Sequence, residues 1–124
     1  MPIHIIDDEI TITEVLTDVL RLHSDQILSF HSAEEYLTHM NSDCYIEPRL
    51  IITDIRMGGM DGFELIKTVH ANGSKAKSIM MSGFYHYGQF NEQAFDGFLA
   101  KPFDLELLQS MVSQLLSNSI HPSD

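Results

Sequence analysis

Short apolar runs alternate with helix-like stretches along the chain, and this alternation limits the fold more than any other feature. Ile3–Asp7, Ile27–Phe30, Leu50–Asp54, Ser78–Ser82 and Phe98–Ala100 read as strands. A helix is expected from about Ile10 to His23, with Ile12, Val15, Leu16, Val19 and Leu20 on one stripe. Ser32 followed by Glu35 has capping-box spacing and opens a helix to about Met40. Asp61 and Glu64 repeat that spacing and open a helix that stops at Asn72–Gly73. Asp104 caps a last helix that turns Leu105, Leu108, Met111, Val112, Leu115 and Leu116 inward. Gly83 to Gly97 has poor periodicity, and only a short helix near Gln89 to Phe95 is expected there. Strands alternating with helices build βαβ units with right-handed crossovers, hence a parallel sheet covered on both faces. The first, third and fourth strands are almost wholly apolar, as strands buried on both sides must be. The expected fold is therefore α/β: a doubly wound, five-stranded parallel sheet flanked by helices, the fourth helix short or irregular.

A chain of 124 residues is expected to form one domain with its own core. Seven Lys and Arg stand against 18 Asp and Glu, a net charge of −11. Such a surface repels phosphate backbones, so direct nucleic-acid binding is not expected; a cation or a basic protein surface is the better partner. The lone Cys44 fits a reducing compartment. No apolar run is long enough to span a bilayer, and the start lacks a signal-peptide pattern, so no membrane association and a cytoplasmic location are expected. The seven histidines show no ligand spacing, so zinc is not expected.

In an open parallel sheet, sites lie outside the carboxyl ends of the strands. Asp7 and Asp8 end the first strand, Asp54 the third and Ser82 the fourth; Lys101 follows the fifth. A flavodoxin-like strand order, 2-1-3-4-5, makes the first and third strands neighbours and brings the three carboxylates together. Crowded like charges require neutralisation, and a hard divalent cation with oxygen ligands, Mg²⁺, suits the need. Lys101 adds a mobile positive charge. A carboxylate facing Mg²⁺, an ammonium and a hydroxyl is equipped to attack phosphorus and form an acyl phosphate. Strand-end aspartates often only cap turns, and Asp61 is assigned that role. A purely structural Asp54 would leave the convergent acids unexplained. Phe98, beside Leu99, suits core packing as well as the role given below.

The segments HIIDDE, IITDIRMGGMDGFEL, IMMSG and KPF, in this order, resemble the receiver domain of bacterial response regulators over essentially the whole chain, residues 1–124. The resemblance implies that Asp54 accepts a phosphoryl group from a sensor histidine kinase or a phosphotransfer protein. Asp7, Asp8, Asp54 and the backbone carbonyl of Arg56 would hold Mg²⁺. Lys101 would contact the phosphoryl group, and the Lys101–Pro102 peptide would be cis. Ser82 and Phe98 would form the switch that signals to an output domain or downstream protein. Gly83 to Phe95, the fifth strand and the last helix would carry that signal, with homodimerisation one output. Such a chain is not an enzyme beyond its own phosphorylation and dephosphorylation. The family usually has proline where Gly58 stands, the segment between Ser82 and Lys101 is short, and Phe84 follows the switch serine by two residues. Two other readings are a pseudo-receiver that serves as an interaction module and a Mg²⁺-dependent aspartyl-phosphate phosphatase. The latter's Asp-x-Asp motif is replaced here by adjacent Asp7 and Asp8.

Overall fold

The computed structural model describes residues 2–83 and 95–118. Strands β1 (Ile3–Ile6), β2 (Ile27–Phe30), β3 (Leu50–Asp54), β4 (Lys77–Ser82) and β5 (Gly97–Ala100) form one sheet, with helices α1 (Ile10–Leu20), α2 (Ala33–Met40), α3 (Gly62–Ala71) and α4 (Leu105–Asn118). All pairings are parallel, in the order β2-β1-β3-β4-β5. This is the doubly wound arrangement expected from the alternation. The short helix expected near Gln89 to Phe95 falls almost entirely outside the described residues.

Side-chain alternation along the central strands divides the core in two. Ile6, Ile51 and Met80 face α2 and α3, joining Tyr36, Leu65, Ile66 and Val69. Ile3, Ile5, Leu50, Ile52, Ile79 and Met81 face the other way, onto Leu16, Leu20, Leu108 and Val112 of α1 and α4. Every residue of β1 and β3 is buried. Each fully buried Ile or Leu contributes about 1.5–3 kcal/mol, so both layers resist displacement of the strand ends.

The caps form as expected. Ser32 Oγ accepts from Glu35 N at 3.0 Å, and an Asp61 carboxylate oxygen accepts from Glu64 N at 2.8 Å. Asp104 accepts from Glu106 N at 2.8 Å. Gly73 closes α3 at φ +94°, a conformation that glycine adopts without a Cβ penalty. Three details of the helix patterning differ from expectation. Val15 is 40% exposed, and the α1 stripe instead includes the buried Thr13. The α1 helix also ends at Leu20, where His23 N turns back onto the Leu20 carbonyl at 2.8 Å. In α4, Leu105 is 45% exposed because it is the first helical residue, whereas Leu108 and Val112 are fully buried.

Candidate phosphoacceptor site

The carboxyl ends of β1, β3 and β4 meet on one edge of the sheet. Asp7, just past β1, is fully buried. Its backbone N donates to Phe30 O at 3.0 Å, one Asp7 carboxylate oxygen accepts from Glu9 N at 2.9 Å, and the other receives Lys101 Nζ at 2.7 Å. Asp8 is exposed beside it. Asp54 closes β3 and is 6% exposed. Carboxylate oxygens of Asp7, Asp8 and Asp54 lie within 4.8 Å of one another.

Lys101 reaches this acidic group from beyond β5. Its backbone N donates to Ser82 O at 2.8 Å, and the Lys101–Pro102 peptide is cis. The ammonium lies 3.5 Å from Asp54 Oδ2 and 3.4 Å from Glu9 Oε1, in addition to its Asp7 contact. One cation thus spans three acids. The strand-end pattern does not predict the contact of Glu9, although Glu9 is the third acid of the DDE run that marks the site.

Burial is the main reason that the Asp54 carboxyl rises from 3.8 to about 6; the Asp7 charge adds to it, and Lys101 only partly opposes it. Asp7 is also raised, because burial outweighs the help it receives from Lys101. Burial lowers the Lys101 ammonium, but the Asp7 hydrogen bond and the charges of Asp7, Asp54 and Glu9 outweigh this and leave it raised. Asp54 therefore binds its proton more tightly in the folded chain than in the unfolded one. That stabilisation is complete below 3.8 and is lost as pH rises through about 6. Metal-free Asp54→Asn is accordingly expected to exceed the unsubstituted protein in stability above pH ~6, by up to about 3 kcal/mol. Urea melts in a chelator should show the gap narrowing as pH falls from about 6 to 3.8; a gap independent of pH would contradict this assignment.

The same geometry suits a hard cation. Three carboxylates supply oxygen donors only, and their mutual repulsion favours a divalent ion that retains several waters. Arg56, whose carbonyl is the further expected ligand, lies two residues past Asp54 in the loop to α3. This loop is tightly folded: Gly62 N donates to Ile55 O at 2.9 Å, and Met57 is buried in the α2/α3 core. Ser82 ends β4 and is 2% exposed. Phe98 is half-buried on β5, packed against the α2/α3 core with its ring 6.3 Å from that of Phe95. Its position therefore includes the core contacts allowed for it from the sequence.

The family model of the response regulator receiver domain matches residues 3–113. The chain is 30% identical over 122 residues to the transcriptional regulatory protein FixJ of Azorhizobium caulinodans, covering 96% of this chain and 56% of FixJ. It is 29% identical over 118 residues to the DNA-binding transcriptional regulator NtrC of Klebsiella pneumoniae, covering 92% of this chain and 24% of NtrC. The chain thus spans only about half, or a quarter, of the length of these relatives. Among solved structures, the response regulator TrrA of Thermotoga maritima, determined in complex with Mg²⁺ and BeF, superposes with a TM-score of 0.78. The match has 28% identity and covers 92% of this chain and 97% of TrrA. The N-terminal domain of an uncharacterized Wolinella succinogenes protein superposes with a TM-score of 0.82 at 25% identity, over 97% of both chains. The sheet order, the acids at its carboxyl edge and these matches agree: the chain belongs to the response regulator receiver domain family.

Proposed function

We propose that this domain is a phosphoacceptor switch of a two-component system, with Asp54 taking the phosphoryl group. The observation that carries the reading is the placement of Lys101 Nζ 3.5 Å from Asp54 Oδ2, on an edge where Asp7 and Asp8 supply further carboxylates. A structural Asp54 would need no such company. A carboxylate oxygen of Asp54 attacks phosphorus, the bond from phosphorus to the donor breaks, and the donor's oxygen or nitrogen leaves with the electron pair. Lys101 stands where it can pair with a phosphoryl oxygen, having Asp7 as its anchor. Mg²⁺ held by Asp7, Asp8, Asp54 and the Arg56 carbonyl would supply neutralisation of the charge gathered on the phosphoryl oxygens.

The donor is a sensor histidine kinase or a phosphotransfer protein, and the recipient of the signal is an output domain or a downstream protein. Support comes from the family and from relatives that are transcriptional regulators much longer than this chain. Ser82 and Phe98 are the switch pair: Ser82 moves toward the new phosphoryl oxygens, and Phe98 fills the space it leaves. The domain catalyses nothing beyond its own phosphorylation and dephosphorylation. No helix among the described residues is long and apolar enough to cross a membrane.

Incubation with acetyl phosphate tests the reading. Intact-mass spectrometry should show uptake of one phosphoryl group that requires Mg²⁺. Asp8→Asn should raise the Mg²⁺ concentration needed by about ten-fold or more, the scale on which a divalent site depends on its carboxylates. Uptake that ignores Mg²⁺, or an unchanged requirement in Asp8→Asn, would place the site wrongly.

A further inference from the structure

The loop from β3 to α3 carries the Arg56 carbonyl past Asp54, and it is unusually rich in glycine. Gly58 occupies a position at which receivers usually have proline, so the backbone there is free in the unfolded chain and costs more to order. The fold restrains the loop from outside. Glu34, in the first turn of α2, reaches across and accepts a hydrogen bond from Met60 N at 3.0 Å. This bond also holds the Glu34 carboxyl below its ordinary range. Gly59 lies beneath the carboxylate at φ +93°; a Cβ there would come within 2.8 Å of Glu34 Oε2. The glycine therefore admits both the backbone conformation and the close approach of Glu34. The Glu34 backbone is set by its helix, because Ser32 caps α2 and Thr38 Oγ1 donates to the Glu34 carbonyl at 3.0 Å.

We infer that Glu34 is a positioning residue of the phosphoacceptor site. It clamps the Gly58–Gly59–Met60 segment from α2 and so holds the Arg56 carbonyl and Asp54 in register, the task a proline performs by restricting the backbone itself. The inference rests on the phosphoacceptor reading above. It also requires that covalent stiffening of the loop replace the clamp. Gly58 has a negative φ and open space around a built Cβ, so a side chain fits there.

The test uses the whole chain and four variants: Glu34→Ala, Glu34→Gln, Gly58→Pro and the double variant Glu34→Ala/Gly58→Pro. Two quantities are read: the rate of phosphoryl uptake from acetyl phosphate at subsaturating Mg²⁺, and hydrogen exchange at the Met60 amide. Glu34→Ala should speed Met60 exchange and slow uptake, each by about ten-fold, as loss of a charge-assisted hydrogen bond predicts. Glu34→Gln keeps an acceptor oxygen but not its charge and should fall between the unsubstituted chain and Glu34→Ala. Gly58→Pro should restore most of the uptake lost in Glu34→Ala without restoring the slow Met60 exchange. Unchanged uptake in Glu34→Ala overturns the inference, as does a loss that Gly58→Pro leaves uncorrected, which would mark Glu34 as merely structural. If the unsubstituted chain takes up no phosphoryl group, the phosphoacceptor reading itself fails; Met60 exchange then still reports whether the clamp exists.

Discussion

Asp54→Asn is expected to abolish phosphoryl uptake while leaving the fold intact. The two side chains have nearly the same shape, so packing at the end of β3 is preserved. An amide oxygen is a far poorer nucleophile toward phosphorus than a carboxylate, and it brings no charge to a divalent ion. The effect should be a complete loss of the Mg²⁺-dependent mass increase. Because the substitution also removes a carboxyl that burial and Asp7 hold well above its ordinary range, the inactive variant should be the more stable one at neutral pH. Loss of activity with a gain of stability separates a functional carboxylate from a structural one, whose removal would lower both.

Gly62→Ala is expected to have the largest effect on stability of any single-methyl change in the site. A Cβ on Gly62 would stand 2.4 Å from Asp54 O and 3.2 Å from Ile55 Cα, and these are backbone atoms of a buried strand end. Neither α3 nor β3 can yield without disturbing the core between them, so the cost is about 2–4 kcal/mol. The midpoint of thermal unfolding should fall by roughly 10 °C, and uptake at Asp54 should fall with it because the carbonyl of the acceptor is displaced. Gly58→Ala is the control. Its Cβ meets nothing within 4 Å, and its φ is already negative. That change should be neutral or slightly stabilising through the unfolded chain. Equal responses from Gly58→Ala and Gly62→Ala in differential scanning calorimetry would contradict this account of the loop.

The sheet and the acidic edge were legible because both are written in local patterns. Buried parallel strands need continuous apolar runs, and LIITD and SIMMS show them with little interruption, so the order of elements and the polar residues at their ends follow directly. Element ends were less sharp: β4 starts at Lys77 and β5 at Gly97, each one residue earlier than apolarity alone indicates. Pairing, rather than hydrophobicity, extends them, since Lys77 is registered with Leu50 and Gly97 with Ile79. Val15 shows the limit of the helical stripe: its type suits the core, but Thr13 lies nearer the packed face of α1. Contacts between distant segments were not legible at all. Glu34 and Met60 are separated by 26 positions, and no spacing rule connects a helix's first turn to a loop that far along the chain. The closeness of Gly62 to Asp54 is likewise a property of the packed loop. Glu9 was within reach, because it continues the acidic run, but its contact with Lys101 depends on the turn into α1.

That Asp54, and no other group, takes the phosphoryl group is the proposal on which the others depend. Its most direct test is chemical mapping after incubation with acetyl phosphate and Mg²⁺. Borohydride reduces an aspartyl acyl phosphate to homoserine, which peptide mass spectrometry then locates. Homoserine is expected at position 54 alone, and none when Mg²⁺ is withheld or in Asp54→Asn. A phosphoryl group found on Ser82 or on a histidine, or uptake that persists in Asp54→Asn, would contradict it.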